Sequence, residues 1–298
     1  MRIIAHISDL HFGKSNPKTE DALLFELHAL RPSLTLVSGD LTRQALGRQF
    51  RRARSYLELL PGPCMILPGN HDVPIDPPHR FLAPFARYKY YISRQLSPLH
   101  RDDEFCLLGL NTARSIVLDG GRFSRKQLER AERIIRMMPK NALRIVATHH
   151  PFIRPPAIPR YRRAIAGAET ALETFERCGV DLILSGHFHQ PHVADLRSVY
   201  PSIGRSILHA QTGSALSKRL PRDLIGYNVI LLTKNRITIT IRIWNGRAFE
   251  DLSTSSFVHC KKGWLPEKLL MASNNPLVTP ARIHRRPARK AQRKPTFQ

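Results

Sequence analysis

The order of apolar runs and helical patterns predicts an α/β chain folded as a four-layer α/β/β/α sandwich, with a mixed sheet and C-terminal antiparallel strands. Three observations carry this prediction. Strand-length apolar runs (IIAHIS, LTLVS, CMILP, LRIVAT and VDLILS) alternate with helical patterns through the first two thirds of the chain. Beyond residue 190 the pattern changes to β-type runs, SILHA, YNVILLT and RITITIRIW. The five earlier runs each end in a short polar signature: Asp9-Leu10-His11, Gly39-Asp40, Gly69-Asn70-His71-Asp72, His149-His150-Pro151 and Gly186-His187-Phe188-His189.

Helical patterns cover 19–30, 43–60, 80–95, 124–138 with Ser124 as N-cap, and 168–177. The stretch 73–101, rich in proline and aromatics, reads as a helical excursion beside the loops that carry the signatures. Lys234-Asn235 reads as a hairpin turn between the last two strands. The late strands are expected to complete the mixed sheet, packed face to face with the first sheet. The resulting division is a domain over 1–255 and a basic, disordered tail over 256–298.

The chain has 298 residues, 42% of them hydrophobic, which suffices for a sizeable core. No apolar stretch reaches the roughly 18 residues of a membrane span, and no signal peptide precedes the first strand, so a cytoplasmic location is expected. Cys64, Cys106, Cys178 and Cys260 are isolated from one another, unlike a disulfide framework or a metal knuckle. The net charge of +24 favours polyanionic neighbours. Arg282, Arg285, Arg286, Arg289, Lys290, Arg293 and Lys294 concentrate part of it in the last stretch, suited to non-specific contact with nucleic acid or anionic membrane.

Loops at the carboxyl ends of strands converge at one edge of an α/β sheet, which is where ligands bind. A convergent set of Asp, Asn and His with no Cys suits two divalent ions of the Mn, Fe or Zn kind and argues against a structural zinc. In Gly186-His187-Phe188-His189, alternate residues of an extended segment can approach two adjacent ions, while Gly186 keeps the backbone clear.

The five signatures in this order resemble the calcineurin-like metallophosphoesterase superfamily over residues 1–215. Leu110-Asn111-Thr112, Gly121 to Gln127-Leu128 and Gln211-Thr212-Gly213-Ser214 resemble the branch containing class III cyclic-nucleotide phosphodiesterases. The resemblance implies that Asp9, His11 and His189 bind one metal, that Asn70, His149 and His187 bind the other, and that Asp40 bridges both. It implies direct attack of a metal-bridging hydroxide on phosphorus, with His71 as charge stabiliser or general acid and Asp72 orienting His71. His150 would stand behind the ligands or meet substrate, and Arg43, Arg114 and His192 are further candidates for substrate contact. His6, inside the first strand, reads as a core histidine.

The substrate implied is a small phosphoester, foremost a phosphodiester and among those a cyclic nucleotide. Alternatives on the same framework are a UDP-diacylglucosamine-type pyrophosphatase, for which KKGWLPEKLL at 261–270 would form an interfacial helix, and a nuclease. From another class comes a non-catalytic scaffold. The filled ligand positions disfavour it. Oligomeric state is not legible in the sequence.

Overall fold

The computed structural model describes residues 1–159, 162, 164–218, 223–261 and 263–268. The first half runs β1 (Arg2–Ile7), α1 (Pro17–Leu30), β2 (Leu34–Val37), α2 (Gly47–Leu57), β3 (Cys64–Ile66), α3 (Pro77–Leu82), α4 (Ala86–Tyr91), β4 (Leu99–Arg101) and β5 (Phe105–Leu110). It continues with α5 (Arg125–Arg136), β6 (Leu143–Thr148), α6 (Ala168–Arg177), β7 (Leu182–Ser185), β8 (His192–Asp195) and β9 (Leu208–Gln211). Four strands close it: β10 (Gly226–Thr233), β11 (Arg236–Trp244), β12 (Phe249–Cys260) and β13 (Gly263–Pro266).

Two sheets result, of seven strands in the order β13-β12-β11-β10-β1-β2-β3 and of six in the order β4-β5-β6-β7-β9-β8. Both are mixed. Within them β1, β2 and β3 are parallel, as are β5, β6, β7 and β9, so the two sets of carboxyl ends gather their loops. The four layers follow from residue alternation along the strands. On β5, Phe105 and Leu107 enter the core between the sheets, whereas Cys106, Leu108 and Leu110 face the core under α5 and α6. On β1, Ile4 faces the other sheet while Ala5 and Ile7 pack under α1 and α2.

Helix boundaries have local causes. Ser124 caps α5 by accepting from the Gln127 amide at 3.2 Å, as its position predicts. The pattern over 43–60 begins only at Gly47, after Ala45 adopts φ 54°. The pattern over 80–95 divides into α3 and α4 around Pro84, since the residue before a proline is pushed out of the helical region. Thr233 pairs with Arg236, which makes Lys234-Asn235 the two-residue turn expected. All four cysteines are free.

The C-terminal strands differ from expectation in place. They extend the first sheet from the β1 edge through β10, while the opposing sheet is built from β4–β9. The boundary expected after residue 255 falls inside β12, and β13 pairs with it from Phe257↔Pro266 to Cys260↔Gly263. Trp264, assigned to an interfacial helix, is instead a fully buried strand residue whose indole Nε1 donates to Asp181 at 3.1 Å. Burying an indole with its N–H satisfied outweighs the weak amphipathic helix. The clustered basic residues from 282 onward lie outside the described residues. Among the described residues no helix is long and apolar enough to cross a membrane.

Trp264→Ala should cost about 3–5 kcal/mol of stability by emptying an inter-sheet site. Denaturant unfolding tests this. A loss below about 1 kcal/mol would show that the core ends before β13.

Candidate metal centre

The five signatures meet where the carboxyl ends of the two sheets adjoin. Asp9 and His11 follow β1, Asp40 follows β2, Asn70 follows β3, His149 follows β6, and His187 and His189 follow β7. The loops are laced together: the Asp9 amide donates to the Gly39 carbonyl at 2.9 Å, His11 to Asp40 at 3.0 Å and Gly186 to His149 at 3.0 Å. Across the sheets, the His187 amide donates to Asp9 Oδ2 at 2.9 Å.

The backbone is strained at these positions. Asp9, His11, Asp40, His187 and His189 all have positive φ between 48° and 75°, a region that non-glycine residues seldom enter. Glycine serves a different need. A Cβ on Gly69 would stand 2.1 Å from Asp40 Oδ1, and one on Gly186 would stand 2.0 Å from Ser8 Oγ and 2.5 Å from Asp9 Oδ2. The close approach anticipated for Gly186 is therefore real.

Three groups of ligand atoms, each within 4.8 Å of one another, share members: Asp9, His11 and His189; Asp9, Asp40 and His149; His149, His150 and His187. Overlap of this kind describes a binuclear site. His11 Nε2 lies 3.1 Å from His189 Nε2, and His189 Nε2 lies 3.2 Å from Asp9 Oδ1. Asp40 Oδ2 has no aligned hydrogen bond among the described residues, although His149 Nε2 stands 3.3 Å away and His11 Nε2 3.9 Å away. Asn70 donates through Nδ2 to the Leu118 carbonyl at 3.1 Å, which turns its Oδ1 toward His149 Nε2 at 3.1 Å. Imidazole nitrogens, an amide oxygen and an unpartnered buried carboxylate oxygen aimed at one space fit divalent cations of the Mn, Fe or Zn kind.

Charge tells the same story. Burial disfavours ionised Asp9 and Asp40, but His189 beside the first and His149 beside the second outweigh it, holding both carboxyls well below the ordinary range. Burial likewise disfavours charged His149 and His189. Asp40 beside His149 and Asp9 beside His189 nevertheless hold both at about 9. Burial pushes His11 down to about 3 and His187 and His150 well below their usual value. Two imidazolium charges thus balance two buried carboxylates until a metal takes their place.

The remaining expected residues divide. His71 is anchored by its amide to Asp40 Oδ1 and by Nδ1 to the Arg43 carbonyl, both at 2.8 Å. Arg43 therefore orients His71, in place of Asp72. The Asp72 carboxylate instead accepts from the amides of Gly69 at 2.9 Å, Leu41 at 3.1 Å and Thr42 at 2.9 Å, tying two ligand loops together. Burial and the neighbouring Asp40 charge raise it to about 7. His150 brings a ring nitrogen within 4.8 Å of those of His149 and His187, and its Nδ1 lies 2.8 Å from Thr112 Oγ1. Arg114 is committed to the carbonyls of Asn111 and Ala113 and to Gln127, so it braces a loop and is not offered to a phosphate. His192 opens strand β8, paired opposite Gln211. His6, bonded to Ser38 Oγ at 2.9 Å, is the core histidine expected.

Sequence patterns missed Asp223, whose Oδ2 sits 2.8 Å from His189 Nδ1 and fixes that ring. They also missed Arg162 and Asp119, which pair at 2.8 Å beside His187. No spacing signal marks these residues, because they come from loops joined only by folding.

The calcineurin-like phosphoesterase model matches residues 3–191, and the chain belongs to that family. Among curated proteins it is 26% identical over 238 residues to a 3′,5′-cyclic-nucleotide phosphodiesterase of Nostoc, covering 73% of this chain and 84% of that one. It is 33% identical over 81 residues to a glycerophosphodiester phosphodiesterase of Enterobacter lignolyticus, covering 24% and 29%. The fold resembles a dimetal phosphatase from Danio rerio at TM-score 0.62 and 15% identity, covering 85% of this chain and 98% of that one. It also resembles a yellow lupin purple acid phosphatase at TM-score 0.66 and 12% identity, covering 86% of this chain and only 53% of the lupin chain.

Asp223→Asn should weaken metal affinity about 10- to 100-fold, since the partner of a ligating imidazole sets its orientation and basicity. Metal titration of the stripped protein checks it, and an unchanged affinity would refute the role. Because His149 and His189 sit near 9 when metal-free, both are charged at pH 7 and must lose protons to bind a cation. Metal affinity should therefore fall as pH drops below about 9. Calorimetry in buffers of different ionisation enthalpy should register proton release on metal binding at about pH 7.

Proposed function

We propose that the chain is a metal-dependent phosphodiesterase, with a cyclic nucleotide or similarly small diester as substrate. The observation that carries this reading is Asp40, whose Oδ2 makes no aligned hydrogen bond and stands 3.3 Å from His149 Nε2 and 3.9 Å from His11 Nε2, linking the two ligand clusters. In this reading Asp9, His11, Asp40, Asn70, His149, His187 and His189 would together hold two divalent ions. When bound, the pair supplies Lewis acidity to the phosphate and lowers the pKa of water so that a nucleophile exists at neutral pH.

The protein's own residues do the rest. His71 is fixed through Nδ1 by the Arg43 carbonyl, which requires a proton on Nδ1 when the ring is neutral. Its protonated form can give the Nε2 proton to the departing oxygen. Asp72 acts indirectly, by holding the Gly69 and Leu41 loops at a fixed separation. The diester preference is supported by likeness to the Nostoc phosphodiesterase across most of that protein's length.

Asp40→Ala should abolish both metal binding and turnover. His71→Ala should keep both metals and lose about 10²- to 10⁴-fold in rate. The assay is hydrolysis of bis(p-nitrophenyl) phosphate and cyclic AMP with Mn²⁺, beside metal analysis. Monoester cleavage alone would refute the diesterase reading, and metal loss in His71→Ala would refute the role of His71.

A further inference from the structure

Arg162 occupies a distinctive position. Its Nη2 lies 3.1 Å from His187 Nε2. Its guanidinium makes two bonds to Asp119, at 2.8 and 3.2 Å, and rests 5.0 Å over the Phe188 ring. The side chain is only 15% exposed. A guanidinium keeps its proton, so His187 Nε2 is the acceptor in this contact. That is the lone pair a cation would use.

A cation on that lone pair would displace Nη2 from His187, so the guanidinium would shift while still having Asp119 and the Phe188 ring as neighbours, with one acceptor fewer. An N–H is left facing the metal centre, in a desolvated position where a charged donor is strongest toward an anion. Further along the chain, the Ile165 amide bonds the Pro151 carbonyl and the Ala166 amide the Gly121 carbonyl, both at 2.9 Å.

Arg162 and Asp119 also form one end of a groove of about 1070 Å³ lined by Gly121, Phe123, Leu128 and Thr170. Its far wall is the facing surfaces of α5 and α6. The ion pairs along it close on themselves, Arg125 with Glu129 at 2.9 Å and Arg177 with Glu132 at 3.9 Å. The volume greatly exceeds a phosphate and reaches the size of sites for whole small molecules, about 300–1,000 Å³.

We propose that Arg162 takes an oxygen of the substrate phosphate at the edge of the metal centre, and that the groove between α5 and α6 takes the organic group of that phosphoester, a group of nucleoside size. The proposal rests on the phosphoesterase reading of the site. Thr170, exposed on α6, offers a hydroxyl, while Phe123 and Leu128 line the groove with only a small accessible apolar margin, 6% and 9% exposed. Asp119 is a positioning residue that fixes the guanidinium.

The test is calorimetric titration of the full Mn²⁺-loaded chain with inorganic phosphate and with thymidine 5′-monophosphate. The wild type should bind the nucleotide at least about tenfold more tightly than phosphate, the surplus coming from the groove. Arg162→Ala and Arg162→Gln should weaken both ligands about tenfold or more at unchanged metal content. Thr170→Trp, at an exposed position on α6, should cut nucleotide affinity about tenfold and leave phosphate unchanged. Phosphate binding unaltered in the Arg162 variants, their loss of metal, or absence of phosphate binding by the wild type would overturn the role of Arg162. Equal affinity for the two ligands, or an unaltered nucleotide affinity in Thr170→Trp, would overturn the groove. Turnover is not needed for these readings. A chain that binds as expected yet hydrolyses no phosphoester would refute the proposed function alone.

Discussion

Two carboxylates, Asp9 and Asp40, are buried side by side at the ends of adjacent parallel strands, and their charge must be met inside the protein. Moving such charges out of water costs several kcal/mol each unless opposite charge is close. His149 and His189 meet it in the metal-free state by staying protonated, and the surrounding imidazole and amide groups are placed to meet it with cations. The local backbone follows from this demand. Residues at the strand ends take left-handed conformations that turn their side chains inward, and glycines stand where a Cβ would strike a carboxylate.

The demand also explains why two sheets are required. One sheet contributes Asp9, His11, Asp40 and Asn70, and the other contributes His149, His187 and His189. The groups that contain Asp9 draw on both sheets, through His149 and His189. The amide of His187 on an Asp9 oxygen and the Ser38 carbonyl at 2.8 Å from His149 Nδ1 fix the halves against each other. The core between the sheets, extended by β10–β13 and closed by Trp264, holds that register rigid. Sites whose supports come from packed strands lose less freedom on binding than sites on loops.

The loop after β5 supports the site from one side. Leu118 orients Asn70, Thr112 seats His150, and Arg114 with Gln127 braces the turn after Asn111. Gln127, part of the stretch that resembles the phosphodiesterase branch, donates to the Asn111 carbonyl at 2.7 Å and so shapes this loop. Thr212 likewise extends the sheet ladder, its amide bonded to Ser185 at 3.0 Å. These residues act on the site by placing their neighbours.

Sequence by itself determined the alternation of strands and helices, the positions of the ligand loops and the residue types offered to metals. Those properties are local: period, capping, strand-end polarity and the chemistry of Asp, Asn and His. It also marked His71, whose own amide bonds Asp40 Oδ1. What it did not determine depends on which distant segments touch. The attachment of the late strands to β1, the burial of Trp264 on Asp181, the use of Arg43 in place of Asp72 to hold His71, and the support of His189 by Asp223 are contacts between segments far apart in the chain. A hydrogen bond to a backbone carbonyl leaves no mark in the donor's own sequence neighbourhood. Only the packed structure, by fixing where each loop ends, decides which side chain meets which partner.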